Sequence, residues 1–137
     1  MPRDRRMERS DAEVVPLAGR LRQRSRPAQD LPAARNLHFE ELLCRAVAAR
    51  LLVELRYDAE VEPRLFAPHL VYRSTTGRIN VGGTQIHNPG QPEDSYEPRL
   101  FEVGLIRTLR LTDTSFRPDN RFRRDEPQFH EGVICAL

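Results

Sequence analysis

Lysine is missing from this 137-residue chain, so all 22 basic residues are Arg. That uniformity reads as the mark of a G+C-rich coding genome rather than of selection for bidentate phosphate contacts. Acidic residues nearly balance the Arg, and a net charge of +2 is too small to imply a nucleic-acid partner by itself. Cysteine is scarce: Cys44 and Cys135 stand alone, without paired zinc spacing and without the dense framework that staples small secreted domains. They are expected to be structural thiols in a reducing compartment. No uninterrupted apolar run follows the early Arg residues as in a signal peptide, and none approaches a membrane span, so a cytoplasmic, bacterial-type protein is expected. Nucleophile elbows, Gly-rich loops between strand and helix, and scaffolded carboxylate pairs are also lacking. The chain is therefore read as a non-enzyme that needs no cofactor and no metal.

What is present divides at about residue 35. Residues 1–35 hold nine Arg against five acids, whereas residues 36–137 hold thirteen Arg against fifteen acids. The basic character belongs to the N-terminal stretch, which is rich in Arg, Pro, Ala and Asp and is expected to be a mostly disordered tail. Within it, Val14, Leu17 and Leu21 share a face of a short helix over about 11–24, and Arg20, Arg22, Arg24 and Arg26 form an electrostatic cluster.

Residues 36–137 are expected to form one domain. From 37 to 50 the apolar period is helical, with Phe39, Leu43, Ala46 and Val47 on one face, Asn36 as cap, and Glu40 and Glu41 in the first turn. From 51 to 116 apolar residues alternate in twos. Leu51, Val53, Leu55 and Tyr57 share one face of a first strand. A second strand over 64–73 alternates Phe66, Pro68, Leu70 and Tyr72 against Leu65, Ala67, His69 and Val71, and Pro68 places it at an edge or a bulge. A tight turn ending at Gly77 leads to a third strand over 79–87, where Gly82 and Gly83 signal a sharp bend or a close backbone approach. After a polar loop over 88–98, a long strand system covers 100–111 with a kink at Gly104, and the apolar residues 132–137 supply a last short strand. The pattern predicts a mainly β fold: a small SH3- or Sm-like barrel of four to five bent strands, preceded by one amphipathic helix.

The order of these features resembles a WYL domain. The likeness rests on a helix carrying Ala46, Val47 and Arg50, a strand ending at Tyr57, the run from Arg64 to Leu70, the hairpin at Gly77, and Phe101 followed by Ile106 and Leu109. The resemblance implies an SH3- or Sm-like barrel and a ligand-sensing role in bacterial transcription regulation, without a helix-turn-helix of its own. At the positions that give the family its name the chain has Ile79, Asn80 and Val81. Glu102 and Leu105 stand where family members carry Arg, which reverses the local charge.

Two functional classes follow. The first is a regulatory or sensor module that binds a nucleotide, single-stranded nucleic acid or another anionic ligand, with contacts from His69, Tyr72, Arg78, Arg99, Arg117, Arg121 and Arg123. In the 117–124 loop the Arg residues flank Phe122, with Phe116 and Phe129 nearby, a combination able to neutralise phosphates and stack on a base. The second is a protein-interaction or homodimeric assembly module, with the Pro68 strand and residues 133–137 as pairing edges. His69 and His87 do not converge as metal ligands in either hairpin register, and His69 is expected to be structural or a polar contact, with His38 and His130 in solvent.

Overall fold

A computed structural model describes residues 31–87, 96–122, 126–129 and 132–137, the side chain of His87 excepted. The helix expected over 11–24, the Arg20 to Arg26 cluster, most of the 88–98 loop, Arg123, Arg124 and His130 lie outside the described residues.

Helix α1 (Leu37–Ala49) starts where the sequence places its cap: the Asn36 side chain accepts the Phe39 amide at 3.0 Å. It stops at Arg50, whose left-handed φ of 56° ends the helical run. Glu40 is buried in the first turn and is gripped by Arg35 through bonds of 3.0 and 2.6 Å. Leu43, Ala46 and Val47 form the buried face.

Six strands follow: β1 (Leu51–Tyr57), β2 (Arg64–Arg73), β3 (Ile79–His87), β4 (Glu97–Glu102), β5 (Ile106–Ser115) and β6 (Val133–Ala136). They form one antiparallel sheet in the order β4-β3-β2-β1-β5, with β6 added to β2. The long strand system expected over 100–111 is two strands, because a 3-10 turn at Val103–Leu105 carries the chain from one edge of the sheet to the other. Among the described residues no ladder joins β4 to β5, so the mainly β fold is an open sheet.

The register of β2 differs from simple alternation. Pro68 pairs with Gly83 and Leu70 with Gly82, leaving His69 as the extra residue of a bulge. The extra residue turns the strand's faces over. Phe66 before the bulge and Val71 after it both enter the core beneath α1, while Leu70 and Tyr72 enter a second core on the opposite face. Pro68, which has no amide hydrogen, sits beside the bulge in an interior strand. The expectation that its strand offers a free edge fails, since β3 occupies one side and β1 and then β6 the other. Gly83 is required at the crossing: a Cβ there would lie 2.0 Å from the Ala67 carbonyl oxygen. Gly77 closes the β2–β3 turn with a φ of 83°.

The first core gathers Leu43, Val53, Leu55, Tyr57, Phe66, Val81 and Phe101, with Phe101 edge-on to Phe66 at 5.1 Å. The second contains Leu70, Tyr72, Leu100, Phe122 and Phe129. Residues 31–35 lie across one end of the sheet, where the Ala33 amide donates to Glu102 at 2.7 Å.

The two cysteines are not free thiols. Cys44 of α1 and Cys135 of β6 form a disulfide with Cα atoms 5.8 Å apart. Their separation of 91 residues hides a proximity created by β6 pairing with β2 beside the helix.

Candidate functional site

The sheet face away from α1 carries a cleft of about 430 Å³. Leu52, Ala67, Thr84 and Ile86 form its floor, Leu52 and Ala67 pointing to the opposite strand face from their neighbours Val53 and Phe66 in the first core. Tyr96, just before β4, forms one wall, and residues 115–119, starting at the last residue of β5, form the other. That second wall begins at an anchored point, since the Phe116 amide donates to the Arg50 carbonyl at 3.0 Å. Tyr96 is 67% exposed, and Arg117 stands in solvent on the lip.

Asp119 is fixed from three directions. Its carboxylate accepts the Thr84 hydroxyl at 3.0 Å, the Arg121 amide at 2.9 Å and the Arg121 guanidinium at 2.7 Å. Burial works against ionisation, but the Arg121 side chain and amide and the Thr84 hydroxyl prevail and hold the pKa down at about 2. The group is a constant carboxylate at neutral pH, suited to holding structure rather than to moving protons.

His69 lies directly behind this wall, 1% exposed, with Phe116 and Phe122 at 5.0 Å on its ring. Its Nδ1 is 2.8 Å from the Ala67 carbonyl, and its Nε2 is 2.8 Å from the Asp119 amide nitrogen. A carbonyl only accepts and an amide only donates. The ring is therefore the neutral tautomer with the proton on Nδ1. Burial pushes its pKa below the ordinary 6.5.

The residues predicted from sequence do not converge. Tyr72 is in the second core, edge-on to Phe129, with its hydroxyl accepting Asn80 Nδ2 at 3.3 Å. Arg78 is buried and pairs with Glu102 at 3.3 Å. Arg99 lies within β4, buried, and pairs with Glu97 at 2.6 Å. Arg121 is committed to Asp119, and Arg123 lies outside the described residues. Arg117 alone of the predicted set lines the cleft. Of the aromatic rings expected to stack on bases, Phe116 lines the cleft, whereas Phe122 and Phe129 are core residues at 7% and 1% exposure, because they cover the apolar face that the bulge creates. Sequence reasoning missed Thr84, Tyr96 and Asp119. The signals were present in Thr84 alternating away from Val81 and in Asp119 standing two residues before Arg121.

Among the described residues no group of three or more His, Cys, Asp or Glu is placed to hold a metal ion, and no helix is long and apolar enough to cross a membrane. Comparison with protein-family models, with curated proteins and with solved structures found no match. The resemblance to WYL domains gains no support from them.

Proposed function

We propose that this chain is a non-catalytic binding module whose cleft takes a small nucleotide-like ligand, with a planar apolar body and a single anionic group. The observation that carries the reading is the lining of the cleft. An apolar floor of Leu52, Ala67 and Ile86 faces an exposed Tyr96, and a solvent-facing Arg117 stands on the lip. A volume of about 430 Å³ suits a small molecule, and the ring and guanidinium suit a base and a phosphate. Single-stranded nucleic acid is the weaker candidate, because Arg78, Arg99 and Arg121 are each paired with an acid and do not form a track along the surface. The absence of catalysis is inferred from Asp119 and His69, a carboxylate and an imidazole at the cleft among the described residues, which are both committed to structural hydrogen bonds.

The strand order β4-β3-β2-β1-β5, with a 3-10 turn before the last long strand, supports reading the fold as an opened SH3- or Sm-like barrel. The Cys44–Cys135 bridge favours a compartment in which thiols are oxidised. Calorimetric titration with adenosine monophosphate and with adenosine tests the reading. The nucleotide should bind about fivefold more tightly, through one screened charge contact of roughly 1 kcal/mol. Arg117→Ala should erase the difference, and Tyr96→Ala should weaken both ligands. Failure of both ligands to bind would overturn the proposal.

A second reading, assembly through the terminal strand, rests on β6, which leaves Ile134 and Leu137 partly exposed at 43% and 37%. Light scattering tests it: a monomer at high concentration counts against assembly.

A further inference from the structure

The buried imidazole of His69 has no part in the contacts proposed for the ligand, yet it supports the wall that makes them. We infer that His69 is a proton-operated latch on the cleft: neutral, it holds residues 116–119 in place; protonated, it releases them and the ligand with them. The inference rests on the binding reading for its effect on a ligand, and on geometry alone for the latch.

The geometry allows a single protonation state. Nδ1–H is spent on the Ala67 carbonyl, and Nε2 is the acceptor for the Asp119 amide. A second proton has no site except Nε2, where it meets the Asp119 N–H head-on, donor against donor. The bond must break and the two groups must separate. Four features make that separation matter to the cleft. Asp119 and Phe116 line it, Phe116 packs on the imidazole, and Ala67 is part of its floor. His69 is also the bulge residue, and the Leu137 amide donates to its carbonyl at 3.1 Å, so the β2 main chain is fixed; the 116–119 segment, tied to the sheet by the Phe116 amide on Arg50 and the Asp119 carboxylate on Thr84, is the side that yields.

Among the described residues the charged groups acting on the ring are Asp119 and Arg121, both from the segment after β5. The carboxylate favours protonation and the guanidinium opposes it. They are bonded to each other at 2.7 Å, so their effects largely cancel and desolvation dominates. Phe116 and Phe122 against the ring, the Ala67 carbonyl and the Leu137 amide carry no charge. The folded protein therefore takes up this proton only at a pH below the ordinary 6.5 of a free imidazole, and the latch opens where it does.

Two readouts on the intact chain test this. The first uses no ligand: imidazole nitrogen shifts follow the titration of His69 while the exchange protection factor of the Asp119 amide is measured at each pH. Protection should collapse over the same interval in which Nε2 gains its proton. The second is the affinity for adenosine monophosphate, which should fall toward about tenfold per pH unit once the ring titrates. His69→Gln offers an amide oxygen to Asp119 but does not titrate, so its affinity should follow only the phosphate's own titration, which is common to both proteins. An Asp119 amide that stays protected while the imidazole titrates would overturn the latch, as would a variant with the same pH dependence as the parent. If adenosine monophosphate does not bind at any pH, the ligand reading fails, and the amide measurement still decides the latch.

Discussion

Removing the Cys44–Cys135 bridge should cost this protein a large part of its stability. The bridge closes a loop of 91 residues that contains the C-terminal part of α1, the strands β1 to β5 and the segment over the second core. In the chain-entropy treatment, closing a loop of that length destabilises the unfolded ensemble by about 4.6 kcal/mol at room temperature. Marginal domains have only about 5–15 kcal/mol in total. A paired Cys44→Ser and Cys135→Ser variant, unfolded by urea and followed by circular dichroism, should have its midpoint lowered by roughly 2 M if the slope is about 2 kcal/mol per M. The slope itself should rise, because an unfolded chain without the cross-link exposes more surface. Reduction of the parent protein by dithiothreitol should reproduce the variant's curve. Midpoints that agree within about 0.3 M would refute the reasoning: the unfolded chain would then be as compact without the bridge as with it.

Gly83→Ala should lower the melting temperature and cost about 1–3 kcal/mol, since its Cβ would fall 2.0 Å from the Ala67 oxygen and the β2–β3 crossing would have to open. Glu102→Gln should cost about 3–5 kcal/mol in denaturant unfolding by breaking its buried ion pair with Arg78, and the double variant with Arg78→Met should recover much of the loss. The carboxyl of Asp119 is held at about 2 against an ordinary 3.8. Around and between those values the unfolded chain binds more protons than the folded one, so this contribution to stability is complete above about pH 5 and is lost as the pH falls toward 2. Asp119→Asn should flatten that part of an acid-unfolding curve, and an unchanged curve would refute the assignment.

Much of the fold is legible in single elements. Asn36 and the spacing of Leu43, Ala46 and Val47 mark α1, the alternation at Val53, Leu55 and Tyr57 marks β1, and paired glycines mark the crossing at Ala67. Periodicity records local conformation, and these features are local. The bulge is less visible, because His69 fits the expected alternation as a letter while breaking it as a backbone, and so Leu70 and Val71 exchange faces. The disulfide and the cleft are invisible for a different reason. Each joins segments far apart in the chain, and a sequence read in order does not state which segments meet. The Arg residues show the same limit: Arg78 looks free until β3 and β4 pair and bring Glu102 to it. A count of basic side chains overstates the anion-binding surface whenever the sheet register has already assigned them partners.

The bulge at His69 acts on β2 as a single inserted base acts on a reading frame. Upstream of it, even-numbered positions face the core under α1; downstream, odd-numbered ones do. Deleting this one residue would leave composition and strand length almost unchanged, but it would send Leu70 and Tyr72 toward the core under α1, displace Val71, and withdraw the apolar surface that Phe122 and Phe129 cover. A one-residue deletion here should therefore be worse tolerated than any side-chain change at the same position, because it shifts the phase of the strand between its two cores.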